Sequence, residues 1–148
     1  MPGTRKLGRP TDQRRAMLRG MVTLLLENGQ LVTTVTRAKE LRSIADKMIT
    51  LGKKNTLASR RAAYAYITKD SVVKKVFNEY AVLYENRNGG YTQIYKMGQR
   101  RGDGAEIAVI KMVDYVKPAP VEEDPKAAKK AAKEAAKEAA KSEQADAE

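Results

Sequence analysis

The side chains that could do chemistry in this sequence are mostly cations, and they are concentrated at its start. The first twenty residues, MPGTRKLGRPTDQRRAMLRG, hold six Arg or Lys residues against one acid, Asp12. Like charges at this density repel one another unless phosphates or counterions neutralise them. The segment therefore predicts a polyanion as partner. The alternative is a solvated tail, but a tail has no need of the apolar helical positions that follow these charges.

Further basic residues recur wherever the predicted elements leave a loop or the start of a helix. With the first segment, they give a predicted contact set of Arg5, Lys6, Arg9, Arg14, Arg15, Arg19, Arg37, Lys39, Arg42, Lys53, Lys54, Arg60, Arg61, Arg100 and Arg101. Contact with phosphates from so many directions predicts a folded, concave polyanion. RNA with tertiary structure fits this better than a straight duplex, because RNA is recognised largely through its shape, phosphates and hydroxyls. No predicted helix carries a row of base-reading side chains.

Tyrosines are the other side chains that could contact a nucleic acid, through stacking on bases. Their helical or strand spacing fits positions in a core or an interface equally well. The tyrosines concerned are Tyr64, Tyr66, Tyr80, Tyr84, Tyr91 and Tyr95.

Residue types that support catalysis or metal binding are scarce. The chain has no Cys and no His, so it lacks thiolate ligands and the commonest general base. It contains neither G-x-x-x-x-G-K-[ST] nor G-x-G-x-x-G. Asp103 lies between two glycines and could bind a hard cation, but such a carboxylate usually forms a turn. The sequence therefore predicts no enzyme, no cofactor, no metal site and no small-molecule substrate.

Length and composition predict one domain with appendages. The chain has 148 residues, of which 42% are hydrophobic, enough for a modest core. Residues 1–118 hold 23 Lys and Arg against 10 Asp and Glu, whereas residues 119–148 hold 6 against 8. The absence of Cys fits a reducing compartment. The longest uncharged apolar stretch, residues 21–26, is too short to span a bilayer, and no signal pattern follows Met1. We expect a soluble cytoplasmic protein.

The apolar periodicity predicts an α+β fold. Helices are expected over residues 12–27, 36–51, 56–67 and 70–84, with Gly29 and Gly52 as helix stops. Strands are expected over residues 31–35, 91–97 and 107–115, the last two joined by a nine-residue basic hairpin tip. The helices should pack on a small mixed sheet of about three strands.

Three parts of the chain are expected on this basis. They are a basic arm over residues 1–10, an RNA-binding domain over residues 11–118, and a flexible tail over residues 119–148 that is acidic and rich in Ala, Lys and Glu. In the first predicted helix, Arg15 and Arg19 should lie opposite a buried side formed by Met17, Met21 and Leu24.

Three short stretches of the predicted domain point to a known family. The stretches TRAKELR (residues 36–42), NRNGGYT (86–92) and RRGD (100–103), within similarity over about residues 4–116, resemble bacterial large-subunit ribosomal protein number seventeen. The resemblance implies a non-enzymatic structural protein that binds large-subunit ribosomal RNA among other ribosomal proteins around the nascent-chain exit. It also adds Arg87 and Tyr91 to the predicted RNA contacts. Gln13 and Gln93 stand where many members have His and Arg.

Two other classes of function stay open from the residues alone. A nucleoid or regulatory DNA-binding protein would also carry a basic arm, and it would follow chromosomal DNA after RNase treatment. An enzyme acting on RNA would need turnover and a metal requirement, for which the chain offers no cluster of ligands.

Overall fold

The computed structural model describes residues 5–115, which form helices interrupted by one short strand up to residue 83 and then a two-stranded hairpin. The elements are α1 (Thr11–Asn28), β1 (Gln30–Thr34), α2 (Val35–Lys54), α3 (Leu57–Tyr66), α4 (Asp70–Lys75), β2 (Thr92–Gln99) and β3 (Glu106–Met112). α4 continues through a π-helical turn, Val76–Tyr80, into a last short turn, Ala81–Leu83. The predicted tail, residues 119–148, lies outside the described residues.

The three strands form one sheet in the order β1-β3-β2. Leu31, Ile110 and Ile94 are in register across the three strands and point toward the core that the helices cover. The predicted α+β class and the number of strands are confirmed. Both strand pairs are antiparallel, so the expectation of a mixed sheet was wrong: β1 pairs with β3, the return strand of the hairpin, and not with β2.

α1 ends where the sequence predicts, at a glycine. Gly29 adopts a left-handed conformation with φ of 75°, and its N–H donates to the Leu25 carbonyl. The buried side of α1 differs from the prediction. Met17 and Met21 are partly buried, but Leu24 is 42% exposed, because Leu25 and Leu26 take the positions that point into the core.

Two tyrosines anchor the last helical segment to the rest of the core. Tyr80 and Tyr84 are 0% and 1% exposed. The Tyr80 hydroxyl donates to the Leu26 carbonyl at 2.8 Å, and the Tyr84 hydroxyl donates to the Val113 carbonyl. Burial raises the pKa of Tyr84 to about 12, so the phenol stays a proton donor at any physiological pH.

Gly52 is not the helix stop that the sequence predicts. It lies buried inside α2, which continues to Lys54 and ends at Asn55 in a left-handed conformation. A Cβ on Gly52 would lie 3.0 Å from Val76 Cγ1 and 3.1 Å from the Val76 carbonyl oxygen. The glycine is therefore required for the close approach of α2 to the π-helical turn.

The part of the predicted arm that the structure describes has local order. Lys6 and Arg9 close a turn through a 3.2 Å backbone hydrogen bond, with Leu7 and Gly8 at positive φ. Leu7 packs against the core. The glycines, the proline and the like charges of residues 1–10 predict an arm that is disordered in the free protein and ordered only on RNA. Over residues 5–10 the chain instead has a defined turn, held by the packing of its single leucine.

Replacing each of the two glycines inside helices by alanine should change stability in opposite directions. No atom lies within 4 Å of a Cβ built on Gly20, so Gly20→Ala should raise the free energy of unfolding by about 0.5–1 kcal/mol. Gly52→Ala gains the same helix propensity but overpacks against Val76, a cost of about 1–3 kcal/mol, so the free energy of unfolding should fall. Urea unfolding followed by circular dichroism measures both. Shifts in the same direction would contradict the assigned role of Gly52.

Candidate nucleic-acid interface

Most of the predicted contact residues lie on the surface, distributed over the arm, three helices, one loop and the hairpin. Twelve are exposed: Arg5, Lys6, Arg9, Arg15, Lys39, Arg42, Lys54, Arg60, Arg61, Arg87, Arg100 and Arg101. Arg14, Arg19, Arg37 and Lys53 are half-buried, and Tyr91 is buried. The cations of the set are therefore accessible to solvent, whereas its one aromatic side chain is not.

Arg19 bonds to another helix. Its guanidinium donates from Nη2 to the Ala65 carbonyl at 2.9 Å and from Nε to the Tyr66 carbonyl. These carbonyls end α3, where the last turn of a helix has no internal donors for its oxygens. Arg19 thus joins α1 to α3, a structural task that the sequence did not indicate.

Four more predicted cations have partners within the fold. Lys53 Nζ donates to the Arg87 carbonyl at 2.8 Å, and the Arg87 guanidinium pairs with Asp114 at 3.0 Å. Arg60 donates to the Asn55 side chain at 2.8 and 3.1 Å, with its guanidinium 4.9 Å from the Phe77 ring centroid. Arg5 Nε lies 3.7 Å from a Glu40 carboxylate oxygen. In the last pair the arginine side chain is half-exposed and the separation is long, so the pair contributes little to stability.

The hairpin tip is shorter and more ordered than the predicted nine-residue turn, because both strands extend into it. Arg100 forms a two-point contact with Asp103 at 3.0 and 2.6 Å, and Asp103 Oδ1 accepts from the Ala105 N–H at 3.3 Å. The Arg100 hydrogen bond lowers the pKa of the Asp103 carboxyl to about 2. Arg100 therefore shapes the tip, and Arg101 projects from it without an ionic partner among the described residues.

The segment with two glycines before Tyr91 is held against α2. Asp46 accepts a hydrogen bond from the Tyr91 N–H at 3.2 Å. Burial raises the pKa of Asp46, while that hydrogen bond and the charge of Arg42 oppose the rise. The Tyr91 ring is 2% exposed and lies 5.1 Å from the Tyr84 ring. Tyr91 is therefore a core residue here, and we remove it from the candidate interface.

The remaining predicted cations have no such partners, apart from the longer-range attraction between Arg42 and Asp46. They are ten side chains, and within residues 5–115 none forms an ion pair or a side-chain hydrogen bond: Lys6, Arg9, Arg14, Arg15, Arg37, Lys39, Arg42, Lys54, Arg61 and Arg101. An unpaired surface cation keeps its full charge available to a phosphate. These ten side chains define the candidate interface.

Sequence reasoning missed Lys47. This exposed lysine follows Lys39 and Ser43 at intervals of four on α2, so the three share one side of the helix. That spacing was the signal that could have identified it. Lys47 lies beside Arg14 and Arg15 of α1.

Residues 5–115 carry the features of neither a metal centre nor a membrane-spanning helix. This region brings together no group of three or more acidic residues that could hold a metal ion. None of its helices has the length and apolar character needed to cross a membrane.

Comparison with known proteins identifies the family. The sequence model of the family described as Ribosomal protein L17 matches residues 17–113. The protein named large ribosomal subunit protein bL17 of Clostridium acetobutylicum is 62% identical over 111 residues, which are 75% of this chain and 97% of that protein. The proteins of the same name from Clostridium tetani and Clostridium botulinum (strain Eklund 17B) are 60% and 61% identical over 113 residues, 76% of this chain and all of theirs. With this similarity over its basic α+β domain, the chain belongs to the ribosomal protein L17 family.

Proposed function

We propose that this chain is a non-catalytic structural constituent of the bacterial large ribosomal subunit, where it binds and stabilises large-subunit ribosomal RNA. The observation that carries the proposal is the set of ten unpaired cations on a domain of a family whose members are structural, non-enzymatic ribosomal components. Large ribosomal subunits are cytoplasmic in bacteria, so the chain would work there. Its position near the nascent-chain exit, beside neighbouring ribosomal proteins, follows from the family resemblance.

The arrangement of the cations favours folded RNA over duplex DNA. Unpaired cations lie on the arm, on α1, α2 and α3, and on the hairpin tip, and no single described helix presents them as a row that would follow one groove. A protein that contacts phosphates from several elements fits between RNA segments that approach from different directions. The proposal keeps residues 1–10 as the arm and residues 119–148 as an appendage outside the RNA-binding domain.

Sedimentation of a cell lysate through a sucrose gradient tests this function. We expect the chain in the large-subunit and whole-ribosome fractions, at a constant ratio to large-subunit RNA. After RNase treatment it should leave those fractions, and DNase should not move it. A chain that stays with chromosomal DNA after RNase treatment would instead establish the DNA-binding alternative.

The two arginines of the hairpin tip should behave differently when each is replaced. Arg101→Ala should leave the free energy of unfolding within about 0.5 kcal/mol, as for other surface changes, while weakening binding to large-subunit RNA. Arg100→Ala removes the partner of Asp103 and should also disorder the tip. The amide resonances of Gly104 and Ala105 should then lose their chemical-shift dispersion. Filter binding and two-dimensional NMR measure the two effects. Equal NMR changes in both variants would contradict the structural assignment of Arg100.

Neutralising the arm should lower the salt dependence of RNA binding. The variant Arg5→Gln, Lys6→Gln and Arg9→Gln removes three charges and retains Leu7, whose packing it leaves intact. Lys6 and Arg9 belong to the candidate interface, and each lost phosphate contact lowers the slope of log affinity against log salt by about 0.7–0.9, so the total change should be about 1.5. The melting temperature should change little, because the one ion pair lost among the described residues is long, at 3.7 Å, and its Arg5 side chain is half-exposed. An unchanged slope would exclude the arm from the interface.

A further inference from the structure

A groove between α1 and α2 combines an apolar floor with a cationic rim. Its volume is about 550 Å³, within the range of pockets that hold small organic groups. Leu18 and Met48 are 7% and 4% exposed and form the buried floor with the half-buried Ile44. Tyr66 of α3 completes the apolar lining. A groove that bound phosphates alone would have no use for this floor.

The charges around the groove are of one sign. Arg14, Arg15 and Lys47 line it, and no acidic residue does. None of the three cations has an ion pair within residues 5–115. Ser43 adds a hydroxyl whose proton is donated to the Glu40 carbonyl at 3.1 Å, which leaves its oxygen lone pairs available. The groove therefore complements an anion that also carries an apolar, hydrogen-bonding part.

Tyr66 is held in place by the contact between α1 and α3. Arg19 donates to the carbonyls of Ala65 and Tyr66, so the end of α3 is fixed against α1. The Tyr66 ring is half-buried, with one part on the groove. With its backbone fixed and its ring half-buried, Tyr66 has less conformational freedom to lose when a ligand packs on it.

We propose that this groove binds one unpaired nucleotide of an RNA chain, with the base on the apolar floor beside Tyr66 and the adjoining phosphates on Arg14, Arg15 and Lys47. The inference rests on the proposed function and adds to it the class of RNA structure recognised. Protein side chains of aromatic, apolar and guanidinium type commonly hold bases that are splayed out of a helix. A paired base is stacked between its neighbours and cannot reach the buried floor.

NMR of the full chain labelled at Ile and Met methyl groups tests the proposal. The probe is a short single-stranded oligoadenylate, compared with an RNA duplex and with a peptide of alternating Glu and Leu. The single strand should shift the methyl signals of Ile44 and Met48, and the duplex at equal phosphate concentration should leave them in place. Equal shifts from the duplex, no shift from the single strand, or larger shifts from the peptide would each overturn the proposal, the last by marking a protein-binding groove.

Substitutions separate the rim from the floor. Lys47→Glu should weaken single-strand binding about three- to tenfold through loss of a phosphate contact. The matched control is Lys111→Glu on the outer face of β3, which changes the net charge equally and should leave the Ile44 and Met48 shifts unaltered. Tyr66→Leu should reduce the preference for single strand over duplex about fivefold or more. If Tyr66→Leu does not fold, Ile44→Thr at a half-buried position should reduce the same preference for single strand over duplex.

Failure of this inference can be told apart from failure of the proposed function. The unsubstituted chain could show no methyl shift with the single strand while the Lys47→Glu variant still sediments with large subunits. That result would overturn the proposed nucleotide groove and leave the ribosomal role intact. A parent chain absent from large-subunit fractions would overturn the proposed function, whatever the NMR titration shows.

Discussion

Two buried phenolic hydroxyls connect the main parts of this fold. Tyr80 donates to the last turn of α1, and Tyr84 donates to the chain just after β3, so the last helical segment holds both the helical layer and the sheet. A buried carbonyl that lost its donor would cost about 1–3 kcal/mol. The π-helical turn that ends at Tyr80 also packs directly on α2, where Gly52 leaves room for Val76. The same helical segment therefore contacts α1, α2 and the end of β3.

Local sequence patterns were sufficient to predict where a helix ends or which side it buries when only residues of that helix decide the matter. The glycine after Asn28 ends α1, and the apolar positions Leu41, Ala45 and Met48 give α2 its buried side, as the helical period predicts. Contacts between distant residues decided the features that were missed. Gly52 looks like a helix stop until Val76 is placed against it, and no local pattern specifies that β1 pairs with β3.

In the candidate interface too, the sequence predicted some features, and contacts between distant residues decided the others. Residue type identified the cations, but their availability depends on partners far along the chain, such as the α3 carbonyls for Arg19 and Asp114 for Arg87. The burial of Tyr91 likewise follows from packing on Tyr84, not from its position after two glycines. Sequence therefore predicted the chemistry of the surface, and the three-dimensional contacts determined which side chains belong to the fold and which remain for a ligand.

The unpaired cations have opposite consequences for the free and the RNA-bound domain. Residues 5–115 carry 22 Lys and Arg against 10 Asp and Glu, so repulsion between cations opposes folding of the free domain. Added salt screens that repulsion, but it also weakens contacts with phosphates. In the RNA-bound state that we propose, the phosphates would neutralise the charges that oppose folding. RNA would then lower the electrostatic free energy of the folded domain, and binding and stability would be linked through the same side chains.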